Sequence, residues 1–358
     1  MKVAIIGAGI AGLACAIELE RLGITPEVYE QRYQVGDPCS FPAVMLDLGL
    51  VTSEQIRYLY KQYRLKIKPL AKIKRLVLHS PNHKKTFTGQ LGHFVEMGHS
   101  DNNLHNQLAS ELKVKINLRQ NVDYFKIRDN YDWVVLADGS PSIPIQLNIW
   151  QSTFQGWVRG GNMVGEFAPS TAEVWVNREF AREGYAYLAP YNNKAAALTL
   201  FVNGISRQEL HDYWNTFINK LQSEPKFTAF FELEYQTGRL KKHQVANTII
   251  VGNAGGFVPA LWGQGLMMSM ISGIEAARSI VKGSNYEQKV KTLIKANERL
   301  DKIHQSLNQL DNSGLDMLVK MLKVPGVTSL ATTAHYSGVK LISNLISRIS
   351  GNNKEFLD

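Results

Sequence analysis

The sequence predicts an α/β chain in which a β-α-β unit opens the fold, an antiparallel sheet is inserted in the middle and helices close it. Three observations carry this. The β-branched run Val3 to Ile6 passes through three spaced glycines into a helical stretch and then a second strand. Between about 143 and 237, short apolar strands alternate with glycine, proline and asparagine turns. From Thr248 a strand again runs into a glycine-rich turn and a helix, and after Gly283 the pattern is helical. The expected division is 1–142 with its return at 238–284, an inserted sheet-rich unit at 143–237, and a helical region at 285–358.

The chain has 358 residues, which at roughly 150 per domain suggests two. A hydrophobic fraction of 44% and a charged fraction of 20% exclude disorder, collagen and a disulfide scaffold. Two cysteines, Cys15 and Cys39, cannot make a framework, so a reducing cytoplasmic compartment is expected. The net charge of +9 permits an anionic partner without naming one.

In chain order, Met1-Lys2 and the apolar run Val3 to Ile17 have the outline of a secretion leader, with Cys15 as a lipidation site. The run is too short to span a bilayer. Its glycines have their own explanation. Val3-Ala4-Ile5-Ile6 suits a strand buried on both faces, and Gly7-Ala8-Gly9-Ile10-Ala11-Gly12 follows. Leu13 to Leu22 is helical and closes at Gly23, and the strand Glu27-Val28-Tyr29 ends on Glu30, 18 positions after Gly12. The first glycine permits a tight turn, the second lets the backbone approach a pyrophosphate, and the third lets helix and strand pack closely. The pyrophosphate would rest on the free N–H groups and positive end of the helix. Glu30 would accept from both ribose hydroxyls. With strand, helix and acid all in place, the motif points to a dinucleotide. Cys15, on that helix, reads as a small buried residue.

From Gln55 to Val95 there is no Asp or Glu, while Lys61, Arg64, Lys66, Lys68, Lys72, Lys74, Arg75, Lys84 and Lys85 fall there. Leu65-Lys66-Ile67-Lys68 alternates as a half-exposed strand does. This interval is either a solvated basic face or a surface for anionic lipid, a diphosphate or a nicotinamide cofactor. Nucleic acid is not expected, since no helix-turn-helix, zinc spacing or RNA-binding motif accompanies the charge. Tyr131 to Ser140 reads as another buried strand ending in a polar turn at Ala137-Asp138-Gly139-Ser140.

In the inserted unit, Glu173 to Val176, Tyr185 to Leu188 and Ala195 to Val202 are strands, and a helix follows at about 207–221. Thr248 to Gly256 is a strand and glycine turn, followed by Pro259, Gly263, Gly265 and a helix from about Leu266 to Ile280. Leu293, Leu300, Ile303, Leu307 and Leu310 make one apolar stripe. Ile342, Leu345, Ile346 and Ile349 make another, with Lys340 and Arg348 opposite. Both read as packing faces, with a membrane anchor as the alternative for the last. No stretch approaches twenty uninterrupted apolar residues.

Three motifs in this order resemble the two-domain FAD-dependent oxidoreductases that include aromatic-ring monooxygenases and geranylgeranyl reductases. They are Gly7-Gly9-Gly12 with Glu30, Ala137-Asp138-Gly139-Ser140, and Gly252-Asn253-Ala254 leading through Gly263-Gln264-Gly265. The resemblance implies a Rossmann-like FAD-binding domain with an inserted antiparallel β-sheet substrate domain. It assigns the cofactor to Gly7, Gly9, Ile10, Ala11, Gly12, Glu30, Gln31, Arg32, Asp138, Gly139, Gly252, Asn253, Ala254, Gly263, Gln264, Gly265 and Leu266. NADH or NADPH is the expected electron donor, with another donor as the alternative. Gly184-Tyr185-Ala186-Tyr187-Leu188-Ala189-Pro190 resembles a cavity-lining segment of the geranylgeranyl reductase branch, and Gly36-Asp37-Pro38-Cys39 resembles a stretch that places a cysteine near the flavin. The substrate would then meet Tyr185, Tyr187 and Trp262.

Three positions depart from the family pattern. Asn253 replaces the usual acid, Gln264 stands between two glycines where an acid is frequent, and Asp101 occupies the place of an arginine before Leu104 and Leu108.

The expected activity is reduction of a carbon–carbon double bond in a bulky apolar, prenyl-like substrate, with Cys39 and Tyr187 as candidate proton donors. A flavin monooxygenase and a non-catalytic flavin-binding module are the alternatives. No metal, serine-hydrolase or Cys-x-x-Cys motif is present. The basic interval and last stripe add an expectation of peripheral contact with the inner face of a membrane.

Overall fold

The computed structural model describes residues 1–36, 38–47, 54–221, 224–260 and 265–322. Two sheets organise them. The first has the order β13-β14-β7-β1-β2-β6. Its strands are β1 (Val3–Ile6), β2 (Glu27–Tyr29), β6 (Ile116–Asn117), β7 (Trp133–Leu136), β13 (Gln244–Val245) and β14 (Thr248–Ile250). All its pairs are parallel except β13 with β14.

The second sheet has the order β12-β8-β11-β10-β9-β4-β5-β3. It contains β3 (Phe41–Leu46), β4 (Ala71–His79), β5 (Lys84–Met97), β8 (Trp150–Val164), β9 (Thr171–Trp175), β10 (Tyr185–Pro190), β11 (Ala195–Asn203) and β12 (Lys226–Leu240). It is antiparallel apart from the β4–β9 pair. The helices are α1 (Ile10–Arg21), α2 (Gln55–Tyr63), α3 (Leu104–Ala109), α4 (Tyr124–Ile127), α5 (Ser142–Gln146), α6 (Arg178–Ala181), α7 (Leu210–Asn219), α8 (Leu266–Lys282), α9 (Tyr286–Asn308) and α10 (Asn312–Met321).

The first sheet follows the sequence pattern closely. All four residues of β1 are buried, as a central strand covered on both faces requires. Helix α8 lies against α1 at a very short distance, because Gly273 faces the Ala11 carbonyl and leaves no room for a Cβ. Cys15 is fully buried at this contact, and burial pushes its thiol well above the ordinary value.

The second sheet is larger than the sequence pattern suggests. β3, β4 and β5 come from within 1–142 and pair there. The Leu65 to Lys68 alternation is real in burial, with Leu65 and Ile67 inside and Lys66 and Lys68 outside, yet it lies in no strand. The ladder begins at Ala71 instead. β8 is interrupted in sequence by Gly156, Gly160 and Gly161. A Cβ at Gly160 or Gly161 would overlap the ring of Phe231 or Phe227 on the neighbouring strand β12. These glycines seat aromatic rings across the ladder, which is a strand use of glycine that propensity alone reads as a break.

Helix α10 is fastened across the end of this sheet. Asp316 accepts from the Ser80 hydroxyl at 2.6 Å, the Asn82 amide N–H at 2.9 Å and Asn82 Nδ2 at 2.7 Å, all in the β4–β5 turn. On its other side Arg178 donates through its backbone N–H to Asn312 Oδ1 at 2.8 Å and through Nε to the Leu310 carbonyl at 2.8 Å. Among the described residues no helix is long and apolar enough to cross a membrane. The stripe Ile342 to Ile349 lies outside them.

Candidate active site

A single cavity of about 820 Å³ runs from the glycine turn after β1 to the far side of the second sheet. Its first end is built by backbone constraints. Gly7 has φ +102°, and a Cβ there would stand 2.5 Å from the Ala137 carbonyl oxygen. A Cβ at Gly12 would stand 2.1 Å from the Gly7 carbonyl oxygen. Both glycines are therefore required by the fold. Gly9 differs, since its Cβ would meet only the Ala137 oxygen, at 3.7 Å. Gly9 caps α1 without any side-chain hydrogen bond, and the first turn holds no acidic residue. The opening N–H groups of α1 are thus left for an external acceptor, beside a residue whose small size serves the cavity and not the chain.

Gly7, Gly9, Ile10 and Ala11 line the cavity, as do Glu30, Gln31 and Arg32. Gly12 sits behind them. The buried Glu30 carboxylate accepts from the Ala8 N–H at 2.9 Å and the Arg32 N–H at 2.9 Å, so it orders the turn as well as facing the cavity. Arg32 donates to the Gly36 carbonyl at 2.9 Å.

Asp138 and Gly139 reach the wall at the end of β7. Burial raises the Asp138 carboxyl to about 6, with the Glu30 charge adding to the rise and a hydrogen bond from the Ser140 N–H opposing it. The sign of the consequence is fixed. A carboxyl that protonates more readily in the folded chain destabilises that chain as pH rises from near 3.8 to about 6, and holds a constant penalty above. Asp138→Asn should therefore melt progressively higher than the parent as pH climbs through that window, with a level difference beyond it. Parallel melting curves from pH 4 to 8 check this.

The third motif closes the same wall. Gly252 has φ +63° and donates to Ser272 Oγ at 3.0 Å. Asn253 donates from Nδ2 to two carbonyls, Gly139 at 2.9 Å and Gln236 at 2.9 Å. Both sheets are thereby tied together. An aspartate could make neither bond, which gives the departure from the family pattern a structural use. The Asn253 Oδ1 atom is left buried and without a partner on the cavity wall. Gly265 and Leu266, at the start of α8, also line it, while Ala254 is buried away from it. Trp262, Gly263 and Gln264 lie outside the described residues, as does Asp37.

At the other end Tyr185 and Tyr187 point to one face of β10 while Ala186 and Leu188 pack on the other, the period-2 arrangement of a strand. Tyr185 stacks on Phe201 at 4.8 Å. Burial pushes the Tyr187 phenol up to about 12, so it stays protonated at neutral pH.

Cys39 is buried but is not among the lining residues, although its neighbours Pro38 and Phe41 are. Asp101 is exposed, and α3 opens three residues beyond it, with Asn103 as the N-cap. His105 of that helix lines the cavity instead. Phe41, Phe87 and Leu322 also line it, and sequence reasoning missed them.

The residues present fit a dinucleotide. The glycine turn offers free N–H groups with no side chain in front of them, and the unpartnered Asn253 oxygen offers an acceptor for a hydroxyl at the junction of the sheets. Glu30 stands at the end of β2, where a ribose would lie.

Residues 1–156 match the family model described as pyridine nucleotide-disulphide oxidoreductase. No curated protein sequence matches the chain. Among solved structures, a geranylgeranyl bacteriochlorophyll reductase-like protein from Thermoplasma acidophilum is similar with a TM-score of 0.78 at 15% identity, over 99% of both chains. A flavoprotein/dehydrogenase from Cytophaga hutchinsonii has a TM-score of 0.68 at 13% identity, over 99% of this chain and 100% of its own. A flavin-dependent brominase has a TM-score of 0.64 at 12% identity, over 98% and 99%. Residues 1–156 are thus similar in sequence to the pyridine nucleotide-disulphide oxidoreductases, and over nearly its whole length the chain shares the fold of these flavoprotein structures.

Proposed function

We propose that this oxidoreductase reduces carbon–carbon double bonds of a bulky apolar, prenyl-like substrate, with NADH or NADPH as electron donor. The observation that carries the proposal is the change of character along one continuous cavity. The end at Gly7, Glu30 and Asp138 is polar, and the end at Leu76, Leu78, Val174 and Phe201 is apolar and aromatic. Bound FAD supplies the hydride chemistry, while the protein supplies orientation, shielding and a proton.

Saturating an alkene requires a proton as well as a hydride, and Tyr187 holds one on the cavity wall. The end at Leu76, Leu78, Val174 and Phe201 presents aliphatic and aromatic side chains that suit an apolar substrate. Asn253 keeps the two sheets at a fixed separation, so the two ends of the cavity stay in register.

The test is anaerobic turnover. FAD-loaded protein reduced with NADH or NADPH should bleach, and should then convert a polyprenyl alcohol to a product with fewer double bonds. A hydroxylated product that forms only with oxygen would assign the site to a monooxygenase. Flavin that no donor reduces would leave a binding module.

A further inference from the structure

We propose that the substrate occupies the apolar end as a single extended chain, and that Phe87 and Leu322 form an end wall that sets the chain length the enzyme accepts. The inference rests on the apolar-substrate reading above and adds where that chain must stop. The cavity passes Val174 beside Tyr187 and continues along Leu76 and Leu78 of β4 to Phe87 of β5 and Leu322 just after α10. Leu76 pairs across the ladder with Phe87, so the ring lies beside Leu76 on the neighbouring strand.

Behind the wall there is solid packing. Leu78 and Phe87 lie against the cluster of Ile303, Leu310, Leu315, Leu318 and Leu322. The wall is also fixed in place. Asp316 holds α10 to the β4–β5 turn by three hydrogen bonds, and Arg178 holds its N-terminal end. A chain end reaching Phe87 therefore meets a braced surface and not a side chain free to swing aside. Two polar residues line the cavity near β5, Gln90, which is exposed, and Asp47, whose N–H donates to the Leu91 carbonyl at 2.9 Å.

Binding of straight-chain primary alcohols to the FAD-loaded protein, followed by calorimetry, tests the wall without requiring turnover. Each added methylene should raise affinity about fourfold, from ~0.8 kcal/mol per buried CH₂, until the chain touches the wall, after which affinity should stop rising. In Phe87→Ala and in Leu322→Ala the rise should continue through additional methylenes. In Val174→Phe, which narrows the cavity nearer Tyr187, it should stop sooner. Two variants from different elements guard against one that fails to fold. A rise that stops at the same length in all four proteins would overturn the end wall and leave the apolar-substrate reading intact. Affinity independent of chain length in every protein would overturn both.

Discussion

Gly7→Ala should fail to form the opening β-α-β unit, whereas Gly9→Ala should fold normally and lose FAD. At Gly7 two costs coincide. A residue with a Cβ at φ +102° is strained by about 1–2 kcal/mol, and that Cβ would overlap the Ala137 carbonyl, which belongs to the loop leaving the adjacent strand and cannot swing away. At Gly9 the backbone is ordinary, with φ −74°, and the nearest atom lies at 3.7 Å, an ordinary contact. The protein can accept that methyl group. The pyrophosphate cannot, because the methyl stands in front of the N–H groups of α1. Losing one or two charge-assisted hydrogen bonds at ~1.5–3 kcal/mol each should lower FAD affinity by about 10- to 10⁴-fold. Circular dichroism melting separates the first effect, and quenching of flavin fluorescence on titrating apoprotein measures the second. A Gly9→Ala protein that binds FAD as tightly as the parent would remove the cradle from the argument.

This contrast also marks what a sequence can disclose. The turn from Gly7 to Gly12 was legible because its constraints are local: a positive φ, a close carbonyl and a helix end all lie within a few residues of the glycines that answer them. The same holds for Tyr185 and Tyr187, whose alternation places both on one face of β10. The second sheet was less legible because ladder pairing is not local. Nothing near Phe41 says that it will pair with Met97, and nothing near Arg75 says that it will pair with Thr171. In β8 the glycines hid a 15-residue strand, since the Phe227 and Phe231 rings that justify them lie on β12. The wall residue Leu322 carried no signal at all, for its place depends on Asp316 finding Ser80 and Asn82. The Asn253 substitution was visible in sequence, but its use was not. Only the positions of the Gly139 and Gln236 carbonyls show why an amide is needed there.

Tyr187→Phe should retain FAD and bind apolar chains as the parent does, while product formation falls by about 10²- to 10⁴-fold, the usual worth of a placed proton donor. The substitution removes one oxygen and keeps the ring that packs at 6.1 Å from Phe201, so the wall should survive it. Cys39→Ser should change little, because Cys39 is buried and is not among the residues lining the cavity. The pH profile separates a proton donor from a packing residue. Burial holds the Tyr187 phenol at about 12, so the parent should show no loss of activity from its ionisation between pH 6 and about 9. The residual rate of Tyr187→Phe must draw its proton from water or buffer, and should therefore rise with buffer acid concentration while the parent rate stays level. If Cys39→Ser removes activity and Tyr187→Phe keeps it, the proton comes from the other side of the wall, and the substrate must lie between Pro38 and Phe41 instead of against β10.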